Sequence, residues 1–175
     1  MNPVMEGRAA QFAALYEASY GAIHAYSSRR VGGQAADEIA AETFLVAWRR
    51  WDAIPSDSLP WLYGVARNVG LQHQEDSSHQ RRAQTALDHE LRSQPDGAAE
   101  VEDPRLWEAW AQLRAVDREV LALVAWEELS VADAARVLGC SAAVFSVRLH
   151  RARRRLERRL TAVNAPRPAT ELSEA

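Results

Sequence analysis

Apolar residues recur at helical spacing in every well-defined segment of this chain, and strict apolar–polar alternation appears in none. That single feature leaves no strands from which to build a sheet and points to packed helices. Phe12, Leu15, Tyr16, Tyr20, Ile23 and Tyr26 form one stripe, and Ser19 lies within it as a small residue where two helices can approach closely. Gly32-Gly33 interrupts the pattern. A second helix, beginning near Gln34, carries Ile39, Ala40, Phe44, Ala47, Trp48 and Trp51. Pro55, Ser56, Asp57 and Ser58 read as a loop with capping residues. Pro60 suits the first turn of a third helix, where its missing N–H costs nothing. That helix carries Trp61, Leu62, Val65, Ala66 and Val69, and three such stripes close a small bundle.

Beyond Val69 the composition changes. From Leu71 to Pro104 there are eight acids against three arginines, few large apolar residues and a Pro95-Asp-Gly97 turn signal. The stretch reads as a linker, although residues 82–91 allow a helix. About 30 extended residues span roughly 95 Å, enough for the two halves to engage separate surfaces. Apolar periodicity resumes with Leu106, Trp107, Trp110 and Leu113, then Val116, Val120, Leu121, Leu123, Val124 and Trp126. Ser130-Val-Ala-Asp133 fits a helix N-cap with an acid three residues on. Gly139 stands where a C-terminal cap favours glycine. Ser141 caps a following helix through Val144, Phe145, Arg148 and Leu149. A short helix, a turn containing Gly and a longer helix make the helix-turn-helix layout. The expected architecture is therefore all-α with two small domains. A three- or four-helix bundle occupies 8–74, a flexible acidic linker 75–103, the helix-turn-helix domain 104–160 and a disordered tail 161–175.

The formal net charge of −3 conceals a basic block of eight arginines and one glutamate between Arg136 and Arg159. Its sign is the one that phosphate backbones attract. All 21 basic residues are Arg, which GC-rich bacterial coding explains most simply. The second helix of a helix-turn-helix enters the major groove. Here it presents Ser141, Ala142, Ala143, Ser146, Val147 and Arg148, followed by His150 and Arg151. Arg148 and Arg151, one turn apart, can reach guanine edges or phosphates. The plainer alternative is a solvated basic helix. Asp37, Glu38 and Glu42 share a helix face that is either solvated or a protein-docking face. Trp48, Trp51 and Trp61 flank the 52–59 loop, as core or as a rim that stacks an unpaired base. No apolar run approaches 18 residues, and the N-terminus lacks a signal-peptide pattern. The lone Cys140 supports neither an internal disulfide nor a thiolate zinc site, and the histidines lack metal-ligand spacing. With no phosphate-binding Gly loop and no nucleophile–base pair, the expectation is a cytoplasmic protein that is not an enzyme and uses no cofactor or metal.

These segments resemble a known family. Asp37-Glu-Ile-Ala-Ala-Glu42-Thr-Phe-Leu-Val-Ala-Trp48-Arg resembles region 2 of the sigma-70 family in its extracytoplasmic-function (ECF, group 4) branch. Pro60-Trp-Leu-Tyr-Gly-Val-Ala-Arg67-Asn68 is similar to the promoter-melting helix of that region. Leu113 to Leu156 resembles region 4, above all Leu129-Ser-Val-Ala-Asp-Ala-Ala-Arg-Val-Leu-Gly and Arg148-Leu-His-Arg-Ala-Arg-Arg-Arg-Leu. The resemblance implies a transcription initiation factor. Asp37, Glu38, Glu42, Phe44 and Trp48 would dock on the β′ clamp helices of core RNA polymerase. Of these, Phe44 and Trp48 would serve mostly as core. Asp52, Ser56, Asp57, Trp61, Tyr63, Arg67 and Asn68 would bind the −10 element, the loop receiving a flipped base of the non-template strand. Ser141, Ala142, Ala143, Ser146, Val147, Arg148, Arg151 and Arg155 would bind the −35 element while the helix flank meets the β flap. It further implies a linker along the nascent-RNA path and an anti-sigma factor covering both regions. Relatives commonly have Gln where this chain has Ala41, and Thr-Val-Lys-Ser-Arg where it has Val144-Phe-Ser-Val-Arg148. A lysine contact to phosphate is thus missing, and Val147 would meet a thymine methyl instead. Two rival readings are a stand-alone helix-turn-helix regulator whose first half dimerises or senses a ligand, and a sigma-factor mimic that titrates an anti-sigma factor.

Overall fold

The computed structural model describes residues 3–84 and 103–164, and every regular element among them is helical. The first long helix, α1 (Pro3–Val31), ends at Gly32, whose φ of +85° only glycine adopts freely. α2 (Gly33–Arg49) follows at once. A 3-10 turn (Trp51–Ala53) and an exposed loop lead to α3 (Ser58–Gln84), with Pro60 in its first turn as expected. The three helices bury Ile23, Tyr26, Ile39, Ala40, Phe44, Ala47, Leu62, Ala66 and Val69 between them. Ser19 is buried at the α1 stripe, whereas Tyr16 stays at its margin. Two buried hydroxyls, on Ser27 and Thr43, donate to the carbonyls of Ile23 and Ile39 one turn back, so neither is left unsatisfied.

Three boundaries differ from expectation. α1 begins five residues before position 8, and α7 reaches Asn164, beyond the expected end at 160. The larger difference is α3, which runs through 75–84, the start of the expected linker. A loss of large apolar residues shows that a helix has left the core, not that it has ended. No Gly or Pro interrupts the sequence between Gly70 and Pro95, so nothing there breaks the backbone pattern. The rest of the linker, most of the 82–91 stretch and tail residues 165–175 lie outside the described residues.

The second module starts with Asp103, which caps α4 (Pro104–Ala111) by accepting the Arg105 N–H at 2.9 Å, with Pro104 in the first helical turn. α5 (Ala115–Ala125), α6 (Val131–Val137) and α7 (Ala142–Asn164) complete it. Its core comprises Ala109, Leu113, Val120, Leu121, Leu123, Ala134, Ala135, Val137, Phe145, Leu149 and Ala152. The α6–α7 turn is built by local chemistry. Ser130 accepts the Asp133 N–H at 3.1 Å at the start of α6. At its end Gly139 takes φ +63°, which lets its own N–H reach the Arg136 carbonyl (3.1 Å) and the Cys140 N–H reach Ala135 (3.0 Å). That pairing is the Schellman cap. Ser141 then accepts the Val144 N–H at 3.3 Å and starts α7.

The two modules touch through α3 and α6. Gly64 faces the backbone of Val137, where an added Cβ would stand 3.9 Å from its Cα, and the two cores form one continuous cluster. The Gly139 turn makes a test possible. Gly139→Ala should lose about 1–2 kcal/mol of stability because alanine resists the left-handed region. Gly21→Ala, mid-helix and equally unobstructed, should instead gain up to about 1 kcal/mol. Urea denaturation of both variants distinguishes them, and a loss at both positions would sink the backbone explanation.

Candidate nucleic-acid and partner interfaces

On α7 the spacing of Phe145, Leu149 and Ala152 decides which side faces the core, since these three are buried. The opposite side presents Ser141, Ala142, Ala143, Ser146, Val147, Arg148 and Arg151, all exposed. Val144 belongs to the same outward face, 43% exposed beside Val147 at 50%. Its three-residue spacing from Val147 is the sequence signal that sets both on one face. Two valines held in water on a helix otherwise covered by small and charged groups make an apolar contact surface of two methyl-bearing side chains.

Arg155, grouped with this face in the sequence, does different work. Its Nη1 donates to Asp117 Oδ1 at 2.6 Å, while Arg114 Nε donates to Oδ2 at 3.0 Å. Asp117 is buried on α5. Burial pushes its carboxyl up, but the hydrogen bonds from Arg114 and Arg155 outweigh that and hold it below the usual carboxylate range. The clamp ties α7 to α5 and fixes the attitude at which α7 leaves the core. The sequence signal for Asp117 is its place three residues after Arg114, the N-cap of its helix.

The acidic face of α2 divides in two. Asp37, Glu38 and Glu42 point outward, whereas Phe44 is buried and Trp48 packs edge-on against Phe12 at 5.1 Å under the Arg8 guanidinium. Asp37 Oδ1 accepts the Tyr20 hydroxyl at 3.2 Å and lies 3.2 Å from His24 Nε2. Glu38 is 3.9 Å from His73 Nδ1. Glu42 borders a hollow of about 270 Å³ with Val69, Gln72, His73, Glu75 and Asp76. The acids of the extended α3 thus join those of α2 on one surface, a juxtaposition hidden while 75–84 is read as linker.

Around the 52–59 loop, Asp52, Ser56, Asp57 and Asn68 are exposed, and Trp61 is half-buried against the core. Tyr63 and Arg67 instead face the second module. Tyr63 is buried, and burial together with the neighbouring Glu127 charge pushes its hydroxyl up to about 12. Arg67 Nε donates to Glu119 Oε1 at 2.8 Å.

The Asp117 clamp sets a pH-dependent expectation. A carboxyl held below its unfolded value contributes stability above pH about 4, and that contribution is lost as pH falls through the lower folded value. Asp117→Asn should cost roughly 1.5–3 kcal/mol at neutral pH by removing charge-assisted hydrogen bonds. Urea titrations of parent and variant should converge in acid, and a gap independent of pH would refute the ionic account.

Residues 104–156 match the family model for sigma-70, region 4. The chain is 33% identical over 127 residues to the ECF RNA polymerase sigma factor EcfG of Rhodopseudomonas palustris, covering 69% of this chain and 68% of that protein. It is 31% identical over 163 residues to the ECF RNA polymerase sigma factor BldN of Streptomyces coelicolor, covering 88% of this chain and spanning 62% of that protein's length. Among solved structures, the sigma factor RpoE of Bartonella quintana, crystallised with the anti-sigma factor NepR, superposes with a TM-score of 0.66. That likeness covers 86% of this chain and 97% of RpoE at 22% identity, and it is a likeness of fold. With a match to the region 4 family model and 33% identity to EcfG over 127 aligned residues that cover 68% of that protein, the chain belongs to the ECF branch of the sigma-70 RNA polymerase sigma factors.

Proposed function

We propose that this chain is a transcription initiation factor of the bacterial cytoplasm that binds core RNA polymerase, directs it to particular promoters and helps open the −10 element. It performs no covalent chemistry of its own. The observation that carries this reading is the division of labour between two outward surfaces, acidic on α2 and polar, valine- and arginine-bearing on α7, in a chain of this family.

The acidic surface of Asp37, Glu38 and Glu42 docks on the β′ clamp helices, with Phe44 and Trp48 shaping it from beneath. Contacts of this charged, rim-like kind steer association and set partner choice more than they add affinity. On the −35 element the first turns of α7 enter the major groove. Arg148 and Arg151 reach guanine edges or phosphates, Val147 and Val144 meet thymine methyls, and Ser141, Ala142, Ala143 and Ser146 allow the close approach. Arg155 supports this indirectly, holding α7 on α5 through Asp117 while the flank of α7 meets the β flap. At the −10 element, Asp52, Ser56 and Asp57 shape the loop that takes a flipped base, and Trp61, Tyr63, Arg67 and Asn68 line the strand beside it. Unstacking costs a few kcal/mol per base. Stacking on aromatic side chains, worth about 1–3 kcal/mol each, offsets it. An anti-sigma factor is the expected restraint, in keeping with the RpoE–NepR pair among the structural neighbours.

Run-off transcription tests the reading, using core polymerase with and without this protein on DNA from upstream of its own gene. A discrete start that needs both components supports it. Specific duplex binding without any association with core would instead establish a stand-alone regulator. Reversing both charges in Asp37→Arg/Glu42→Arg should weaken core binding about tenfold or more with helix content unchanged; normal copurification would remove the docking assignment. Arg148→Ala should cost about 1–3 kcal/mol of promoter binding and relax preference at one −35 position. Unaltered promoter preference would exclude Arg148 from the readers.

A further inference from the structure

We propose that Arg8, near the start of α1, is a positioning residue for promoter opening. It grips the C-terminal end of α2 and thereby fixes the entry to the 52–59 loop, which takes the flipped base. The inference rests on the −10 assignment of that loop made above.

The last turn of an α-helix leaves carbonyls without an intrahelical partner. At the end of α2 the Arg50 N–H closes onto the Val46 carbonyl at 2.9 Å. The Trp48 carbonyl is taken by a side chain 40 positions away, since Arg8 Nη2 donates to it. A cation there also meets the negative pole of the helix dipole. The same guanidinium lies over the Trp48 ring, 4.6 Å from its centroid. One turn along α1, Phe12 meets the Trp48 ring edge-on at 5.1 Å and the Trp51 ring at 6.2 Å. Arg8 and Phe12 therefore hold both the final turn of α2 and the first residue of the 3-10 turn that follows. In that turn the Ala53 and Ile54 N–H groups donate to the Arg50 and Trp51 carbonyls, so the direction of the loop is inherited from Arg50 and Trp51. On the far side Leu59 and Trp61 pack against the core. Between these two anchors Asp52, Ser56 and Asp57 are exposed.

Stability is a poor account of the Arg8 contact. Arg8 is half-buried, its Nε is buried without a hydrogen bond among the described residues, and no carboxylate among them pairs with it. A cation withdrawn from water with one donor idle costs free energy that a carbonyl and a ring offset only in part. An apolar side chain would fill the same corner without that cost. What a long, planar cation adds is a directional hold on a helix end and on a ring at once. None of these groups lines the cavity of about 570 Å³ at the seam between the modules, so the hold of Arg8 on the loop belongs to the first module alone. A loop fixed at both ends is pre-organised, and capturing a base then loses less binding energy to ordering the loop. Asp37, Glu38 and Glu42 lie back toward the other end of α2, which leaves core docking independent of Arg8.

The test uses holoenzyme assembled from core polymerase and the full chain, parent or Arg8→Met, which keeps a long side chain but removes the charge and the donors. The probes are non-template strands carrying the −10 element mapped by run-off transcription, intact and with an abasic site at each position in turn. Fluorescence anisotropy gives the ratio of intact to abasic affinity. The parent should prefer the intact strand about tenfold at the captured base. Arg8→Met should cut that preference about fivefold, with core affinity and helix content unchanged. Lost charge weakens both strands alike, and so does a damaged fold, so neither moves the ratio. Arg8→Lys keeps a charge and a donor for the Trp48 carbonyl and should recover part of the preference. A parental ratio in Arg8→Met overturns the proposal, as does an Arg8→Lys ratio no better than that of Arg8→Met. If the parent itself has no abasic-sensitive position, the loop assignment falls and the role of Arg8 falls with it.

Discussion

A carboxylate with almost no access to water fixes how the two halves of this protein meet. Withdrawing an ion from water costs several kcal/mol even after relaxation, so Glu127 is tolerated only against a cation held in place for it. Arg29 supplies that cation from the last turn of α1, where the helix dipole already favours positive charge. The pair draws the end of α5 onto the end of α1. With α5 seated, Glu119 falls between Arg30 and Arg67, and Val137 of α6 comes against Gly64 of α3, a position with no side chain to hold it off. The continuous core across the modules follows from that approach. Hydrophobic attraction alone has no direction, and a seam left with a large cavity is poorly placed to choose its own register.

The other buried acid acts over a shorter range and to a different end. Asp117 joins two elements of one module, and its arginines come from the N-cap of its own helix and from α7. An ion pair inside a module orients a helix, whereas one between modules sets how the two halves meet. Burial of charge thus appears twice here with the same chemistry, once within a module and once between modules.

Much of this architecture was legible because its determinants are local. Ser130, Gly139 and Ser141 span twelve positions, and each acts on backbone groups within five residues of itself, so the helix-turn-helix could be read from residue types alone. The inward set of α1 and α2 was readable from spacing for a similar reason. What escaped depends on distance in sequence. Nothing around Tyr63 or Arg67 announces partners at Glu127 and Glu119, more than fifty residues away. Arg155 looks like any other arginine of its block until Asp117 is found beneath it. The length of α3 was underestimated for another reason: apolar periodicity reports burial, and a solvated helix continues without it.

The same distinction revises what the basic block offers to a polyanion. Eight arginines lie between Arg136 and Arg159. Arg136 pairs with Asp133, Arg155 with Asp117, and Arg159 and Arg158 donate to the Gln112 side chain and the Arg154 carbonyl. Arg148, Arg151, Arg153 and Arg154 remain, exposed on α7 and with no side-chain partner among the described residues. A guanidinium already satisfied by a carboxylate gains little from a phosphate unless the first contact is given up. Arg158 and Arg159, bonded only to neutral groups, keep their full charge, so the counterions that DNA can shed on binding follow six of the eight arginines, and the charge count read from sequence overstates the electrostatic pull of this block by about a third.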